Sequence, residues 1–412
     1  MKQVVVIGGG AAGLMAAIRS ASLGNSVMLL EKNEKCGKKL FITGKGRCNL
    51  TNACDISDLF TNVISHPKFL YSAFYSFTNE DVIAFFEELG MKTKIERGNR
   101  VFPASDKSSD VIRTLERACR SKGVTIRLNT KVKDLQIRQG RISGVVLADG
   151  KQIPADKVIL ATGGCSYPGT GATKEGYRLA EAAGHTVTLL RPGLTGIVSG
   201  DPVGKQLQGL TLKNIGVSIT RRKAGKKPLY EGFGELLFTH YGVSGPLMLS
   251  ASSILGDILA EEELILHIDL KPALAREQLD KRIVKDFAGA MNSSLKNACR
   301  HLLPKSMIGE ILERAELAPD SRIHQLNREK RFKLVDRIKD FTVTLKRLRD
   351  LDEAIITRGG VEVSEIDPST MKSRCTDGLY FAGEMLDLDA LTGGFNLQIA
   401  WSTGYLAGSE LE

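Results

Sequence analysis

Val4-Val5-Val6-Ile7-Gly8-Gly9-Gly10-Ala11-Ala12-Gly13 is a β-branched run that breaks into glycines and then into small helix-forming residues. The spacing is G-x-G-x-x-G, leaving a strand and opening a helix that runs from Ala11 to about Leu23. Gly8 permits the sharp turn, Gly10 lets the backbone approach a pyrophosphate, and Gly13 lets the helix pack closely on the sheet. The helix N-terminus, at Ala11 and Ala12, offers free N–H groups and the positive end of the helix dipole to phosphate. A second apolar strand spans Asn25 to Leu30 and ends at Glu31, where a carboxylate can accept both ribose hydroxyls. Strand, glycines, helix, strand and terminal acid together form a β-α-β dinucleotide-binding unit, and the acid disfavours a 2′-phosphate.

That unit serves NAD and FAD alike, and the rest of the chain separates them. Val158-Ile159-Leu160-Ala161-Thr162-Gly163-Gly164 is a second apolar strand opening into glycines, suited to return the chain beside a pyrophosphate. Near the C-terminus, Gly378–Ala382 reads as a strand that delivers Gly383 and Glu384, an acid placed to accept hydrogen bonds from a ribityl chain. Gly393-Gly394-Phe395-Asn396-Leu397 then opens the last helix, whose first amides would stabilise negative charge at the N1–C2=O edge of a reduced flavin. FAD is therefore the expected cofactor.

Between these stretches, Lys38–Asn52 is rich in glycine and cations and is expected to be a loop along the pyrophosphate. Gly44 and Gly46 flank Lys45; Arg47 is expected to neutralise phosphate or a flavin anion, and Asn49 to bond the ring edge. Lys32, beside Glu31, and Lys39, Thr43 and Cys48 complete the expected cofactor contacts, with Cys48 read as packing rather than as a redox thiol.

The chain resembles the BaiN-like NAD(P)/FAD-dependent oxidoreductase family, relatives of the succinate dehydrogenase and fumarate reductase flavoproteins. The resemblance rests on Gly37–Asn52, Phe238–Pro246, Thr357-Arg358-Gly359-Gly360-Val361 and Gly378–Gln398, and spans nearly the whole length. It implies a three-part build of FAD domain, β-rich insert and small helical part, and an FAD-dependent reductase or dehydrogenase. One branch of the family reduces conjugated double bonds in bile-acid intermediates. The resemblance also implies that the backbone of Val132 meets adenine. The Gly164–Gly171 loop resembles the glycine-rich loop of fumarate reductases, as a wall of the site or a structural turn.

The expected class is α/β, an FAD-binding Rossmann-like (doubly wound) domain interrupted by a β-rich insert with a small helical part. Residues 1–190 form its first part, 191–342 the insert (helical over about 273–330), and 343–412 its second part. The insert follows from short alternating segments at Gly216–Thr220, Pro228–Phe233 and Leu264–Leu270. A hairpin is expected where Val132–Ile137 meets Ile142–Leu147 across Gln139-Gly140.

A length of 412 residues allows two or three domains. The net charge of +10 concentrates in Lys205–Lys227, including Arg221, Arg222, Lys223 and Lys226, and in Arg328–Arg349. Solvated helix and hairpin faces are the preferred reading, with RNA binding the rival. Seven cysteines without a C-x-x-C point away from a disulfide framework and a structural zinc site, and no metal is expected. No signal peptide and no apolar run of about 20 residues is seen, so a cytoplasmic protein without membrane insertion is expected.

His240 and Tyr241, in a Gly- and Pro-bounded stretch of the insert, are the expected proton donors if the insert covers the flavin. Arg358 is expected to hold a substrate carboxylate or carbonyl. Hydride transfer to an activated C=C or C=O of a small molecule follows, with NAD(P)H binding transiently, or another carrier, as donor because no second G-x-G-x-x-G unit exists. The rivals are a tRNA-modifying flavoprotein and a flavin-binding protein without catalysis. No H-E-x-x-H, G-x-S-x-G or P-loop pattern supports another enzyme class.

Overall fold

The computed structural model describes residues 1–222, 227–289 and 291–409. Two compact units emerge, Met1–Gly193 with Asp350–Glu412, and Leu194–Arg349.

The first unit is built on a five-stranded sheet in the order Leu379–Phe381, Lys157–Leu160, Gln3–Ile7, Ser26–Leu30, Thr125–Arg127. Every neighbouring pair is parallel. The continuous apolar runs follow from this arrangement, because strands of a parallel sheet are covered on both faces. The Rossmann-like α/β expectation holds.

Ala11–Ser22 is the first helix, and Phe395–Ser409 the last. A Cβ on Gly408 would stand 2.6 Å from the Ala16 carbonyl oxygen, and one on Gly404 3.0 Å from the Ala12 Cα. Glycine here lets the two backbones touch, so the chain's two ends share one core. Trp401 of the last helix is fully buried, meets Phe86 edge-on and donates to the Leu50 carbonyl at 2.9 Å.

The expected hairpin is present: Val132–Arg138 pairs antiparallel with Arg141–Leu147. Gln139 and Gly140 both take positive φ, 50° and 74°, the twist a two-residue hairpin needs. Lys38–Asn52 is not the expected loop throughout. Lys38–Gly46 is helical, entered through Gly37 at φ 70° and broken by non-helical angles at Thr43, Gly44 and Lys45.

The second unit is a closed, wholly antiparallel six-stranded barrel. Its order is Ile197–Ser199, Gly242–Ser244, Tyr230–Thr239, Thr211–Arg221, Leu264–Asp269, Phe341–Leu348, the last returning to the first. Helices Pro246–Glu261, Arg276–Ala288 and Arg328–Lys339 bury Leu255, Ile283 and Leu334 in the same core as barrel residues Ile219 and Leu266. The helical part is thus fused to the barrel instead of forming a third body. The expected end of the insert at 342 falls inside strand Phe341–Leu348, whose alternating burial belongs to the barrel.

Candidate cofactor and substrate site

The first unit gathers most of the expected cofactor residues. Gly8 has φ 107°, and a Cβ there would lie 2.8 Å from the Ala161 carbonyl carbon, so the two glycine turns meet only because Gly8 has no side chain. A Cβ on Gly13 would collide with the Gly8 carbonyl, its carbon at 3.1 Å. Around Gly10 the space is open: a Cβ there meets no atom within 4 Å. Gly10 caps the first helix with no side-chain hydrogen bond, and the first turn carries no acid. An uncapped helix end facing open space is the requirement of a pyrophosphate.

Glu31 is 7% exposed; its Oε2 accepts from the Gly9 N–H at 2.7 Å, and its Oε1 accepts from the Asn33 N–H at 2.8 Å and Nδ2 at 2.7 Å. A carboxylate offers about four acceptor sites, so one remains for a ribose hydroxyl rather than the two expected unless the Asn33 amide yields. Thr130 donates its N–H to the Glu31 carbonyl, which brings the Asn129–Val132 turn alongside.

Glu384 lies at the other end. It accepts from Lys39 Nζ at 2.7 and 2.6 Å and from the Thr357 N–H at 2.9 Å. Lys39 and Glu384, expected as separate contacts, are one ion pair. Asn49 stands beside Gly44, and its Oδ1 is buried without a hydrogen-bond partner. A buried orphan acceptor is costly, and a ligand N–H relieves it. Glycine turns, open helix end and orphan amide fit an adenine dinucleotide.

Several expected contact residues also have protein partners. Arg47 is spent on protein: its Nη1 meets Glu96 at 2.9 Å and Asp106 at 3.2 Å, and its guanidinium lies over Phe102 at 4.1 Å. Two carboxylates leave little charge for a phosphate. Asn396 uses its side chain to close the preceding loop, accepting from the Ala390 N–H and donating to the Ala390 carbonyl. Phe395 is buried. Lys32 donates to Thr173 and pairs with Glu175 at 2.9 Å. Cys48 is fully buried and its thiol pushed up to about 12 by burial, a packing residue as expected. Thr43 donates to the Leu40 carbonyl, and Thr162 packs beneath Gly176.

Arg358 pairs in register with Arg191, so both side chains leave the same face of a two-stranded ribbon, Arg191–Gly193 with Ile356–Arg358. Arg358 Nε is 3.5 Å from Asp389 Oδ2, a fully buried carboxylate whose pKa burial raises. A cavity of about 210 Å³ opens here, lined by both arginines, His66, Thr188 and Asp387. His66, which no motif singled out, is the histidine of this cavity.

His240 and Tyr241 lie in the barrel unit, after strand Tyr230–Thr239. Their rings meet edge-on at 5.0 Å, and Arg349 stacks over Tyr241 at 4.7 Å. Tyr241 fills the space a side chain at Gly196 would need, its ring carbon Cε2 2.7 Å from a Cβ built there. Tyr241 is thus a packed barrel residue.

Five basic residues of these stretches are matched by acids: Arg222 with Glu263 at 2.8 Å, Arg221 with Glu262, Lys333 with Glu316 at 2.6 Å, Lys339 with Asp269 at 2.6 Å, and Arg331 with Asp280. Lys223 and Lys226 lie outside the described residues. Among the described residues, no helix is long and apolar enough to cross a membrane.

Residues 2–410 match the model of the HI0933-like protein Rossmann domain. The chain belongs to that family. With it, the expectations of an FAD-binding fold and of an FAD-dependent oxidoreductase hold. Among curated proteins, the chain is 33% identical to a 3-dehydro-bile acid delta(4,6)-reductase of Clostridium scindens, over 99% of this chain and 98% of the relative. It is 31% identical to a ribosomal RNA dihydrouridine synthase of Escherichia coli, over 99% and 97%. Among solved structures, a 3-ketosteroid delta1-dehydrogenase from Sterolibacterium denitrificans shares the fold at 14% identity, with a TM-score of 0.52 over 99% of each chain.

Proposed function

We propose that this protein reduces a carbon–carbon double bond conjugated to a carbonyl in a small organic molecule, with NAD(P)H as electron donor. The observation that carries the reading is the Arg191–Arg358 cavity, formed in the same unit as the cofactor residues. Its walls continue into the cofactor residues: Thr357 donates to Glu384, and Asp387–Asp389 leads toward Gly393-Gly394. Two arginines on one face suit a carbonyl oxygen that gains negative charge. The names of the curated relatives agree in chemistry, since a keto bile acid and a uridine each take up two hydrogens across a double bond.

The Gly8–Gly13 turn and Glu31 would hold the pyrophosphate and adenosine half of FAD, and Lys39, Glu384 and Asn49 the ribityl and ring half. When bound and reduced, FAD supplies a hydride. The chain's own part is to fix the substrate oxygen, deliver a proton and hold the reacting carbons in place.

Anaerobic titration of the FAD-loaded protein tests this. NADH or NADPH is expected to bleach the flavin, and 2-cyclohexen-1-one to restore its colour. A flavin that no reductant bleaches, or that no enone reoxidises, contradicts the reading.

The ribosomal RNA relatives favour a second reading, in which the double bond is that of a uracil within RNA. It predicts salt-sensitive RNA binding. Arg222, Lys333 and Lys339 of the barrel unit are paired with acids, which lowers the charge they offer to a phosphate backbone.

A further inference from the structure

The expected proton donors, His240 and Tyr241, lie in the barrel unit, whereas the cofactor residues and the arginine cavity lie in the other. The cavity has its own acid. His66 lines it, with Nε2 3.7 Å from Asp387 Oδ2, and that same oxygen accepts from the Thr188 hydroxyl at 3.0 Å.

This histidine is one of twelve described non-glycine residues with positive φ. Its φ is 53°, the left-handed region, which a non-glycine residue adopts at a cost of about 1 kcal/mol. Neighbouring contacts enforce it. Ile64 and Ser65 donate their N–H groups to the Asp389 carbonyl at 2.8 and 3.4 Å, and Val63 bridges to Ala390. The segment before His66 is therefore strapped to the residues that follow Asp387, and Pro67 opens a 3-10 turn behind it. The strap fixes His66 at the cavity wall. The charged groups around the ring are Asp387 and Asp389 on one segment and Arg191 and Arg358 on the ribbon.

We infer that His66 is the proton donor of the reaction, with Asp387 as its positioning residue and the Arg191–Arg358 face holding the substrate oxygen; this rests on the reading as a reductase of carbonyl-conjugated double bonds. The atoms balance as follows. Reduced flavin supplies a hydride, which forms the C–H bond at the β-carbon while the C=C π pair shifts and the carbonyl becomes an enolate. The enolate oxygen faces the guanidinium groups, and a ring N–H of His66 then gives its proton to the α-carbon. The substrate gains two electrons and two hydrogens, the flavin loses two electrons, and the ring regains a proton from water, to which its side chain is 44% exposed.

The test uses full-length FAD-loaded protein and His66→Asn. Asparagine tolerates the left-handed region, so the backbone is kept while the acid is lost. Two readouts are taken: reoxidation of reduced flavin by 2-cyclohexen-1-one, and exchange of cyclohexanone α-protons in D2O with the flavin oxidised, which needs no hydride. His66→Asn is expected to slow reoxidation by about 100-fold or more and to abolish exchange, with flavin bleaching and FAD affinity unchanged. Asp387→Asn is expected to lower the rate while leaving KM within about threefold. A His66→Asn protein that reoxidises and exchanges at the wild-type rate overturns the assignment alone. Wild-type protein that exchanges α-protons through His66 but never reoxidises with the enone upholds the acid and overturns the reductase reading. Wild-type protein that does neither overturns both.

Discussion

Gly10 and Gly13 stand three residues apart in one motif, and the structure gives them opposite fates on substitution. Gly10 has φ −85° and ψ −168°, extended backbone open to any residue, and no atom lies within 4 Å of a Cβ built there. Gly10→Ala should therefore change the stability of the flavin-free protein by no more than about 0.5 kcal/mol. The added methyl occupies the space assigned to the pyrophosphate. Overpacking of that kind costs about 1–3 kcal/mol, which weakens FAD binding by about 5- to 150-fold. Gly13→Ala instead drives a methyl into the Gly8 carbonyl, with the carbonyl carbon at 3.1 Å and Ala161 Cβ at 3.4 Å. Backbone cannot rotate aside, so the first helix must lift from the sheet, at a cost of about 3 kcal/mol or more. Thermal melts of flavin-free protein and titration with FAD by fluorescence quenching separate the two. The reasoning fails if Gly10→Ala binds FAD like the wild type, or if it melts as early as Gly13→Ala.

Three further outcomes follow from buried charge and burial. His185 has a fully buried side chain between Glu365, 3.2 Å from Nδ1, and Ser373, 2.6 Å from Nε2. Burial lowers its pKa below 6.5 against the opposing pull of Glu365, so the folded state resists the proton that the unfolded chain accepts. Stability is then complete above the unfolded value and is lost as pH falls from it toward the lower folded value; melting temperature should drop as pH falls below about 6.5, and less steeply in His185→Asn. Arg358→Met strands the buried Asp389 carboxylate and should cost about 3 kcal/mol in denaturant titrations, most of it recovered in the double variant with Asp389→Asn. Of the seven cysteines, the exposed Cys375 should react rapidly with a thiol reagent and the half-buried Cys54 slowly. Cys36, Cys48, Cys119 and Cys299, pushed up to about 12 by burial, should react only after unfolding.

The sequence was most legible where chemistry is local. Gly8, Gly10 and Gly13 announce turn, open face and close packing within six residues, and Gln139-Gly140 announces its own hairpin. Barrel closure was hidden because Ile197–Ser199 and Gly242–Ser244 are three residues each, too short for an alternation to show. Phe341–Leu348 does alternate, and the boundary expected at 342 falls two residues inside its start. The acid partners of Arg47, Glu96 and Asp106, were hidden because they are distant in sequence and nothing local betrays them. His66 carried no motif at all. Its signal is the pairing with Asp387, and a single sequence does not reveal contacts between segments so far apart.

The central claim is that the Gly8–Gly13 turn, Glu31, Asn49 and Glu384 enclose one adenine dinucleotide of flavin. The direct measurement is the absorbance spectrum of the purified protein, with the cofactor released by denaturation and identified by chromatography. The account predicts a yellow protein carrying about one FAD per chain, or, if stripped, one that takes FAD up again and rejects FMN, which lacks the adenosine half that the glycine turn and Glu31 would hold. A colourless chain that no added FAD restores, or one that binds FMN equally well, contradicts it.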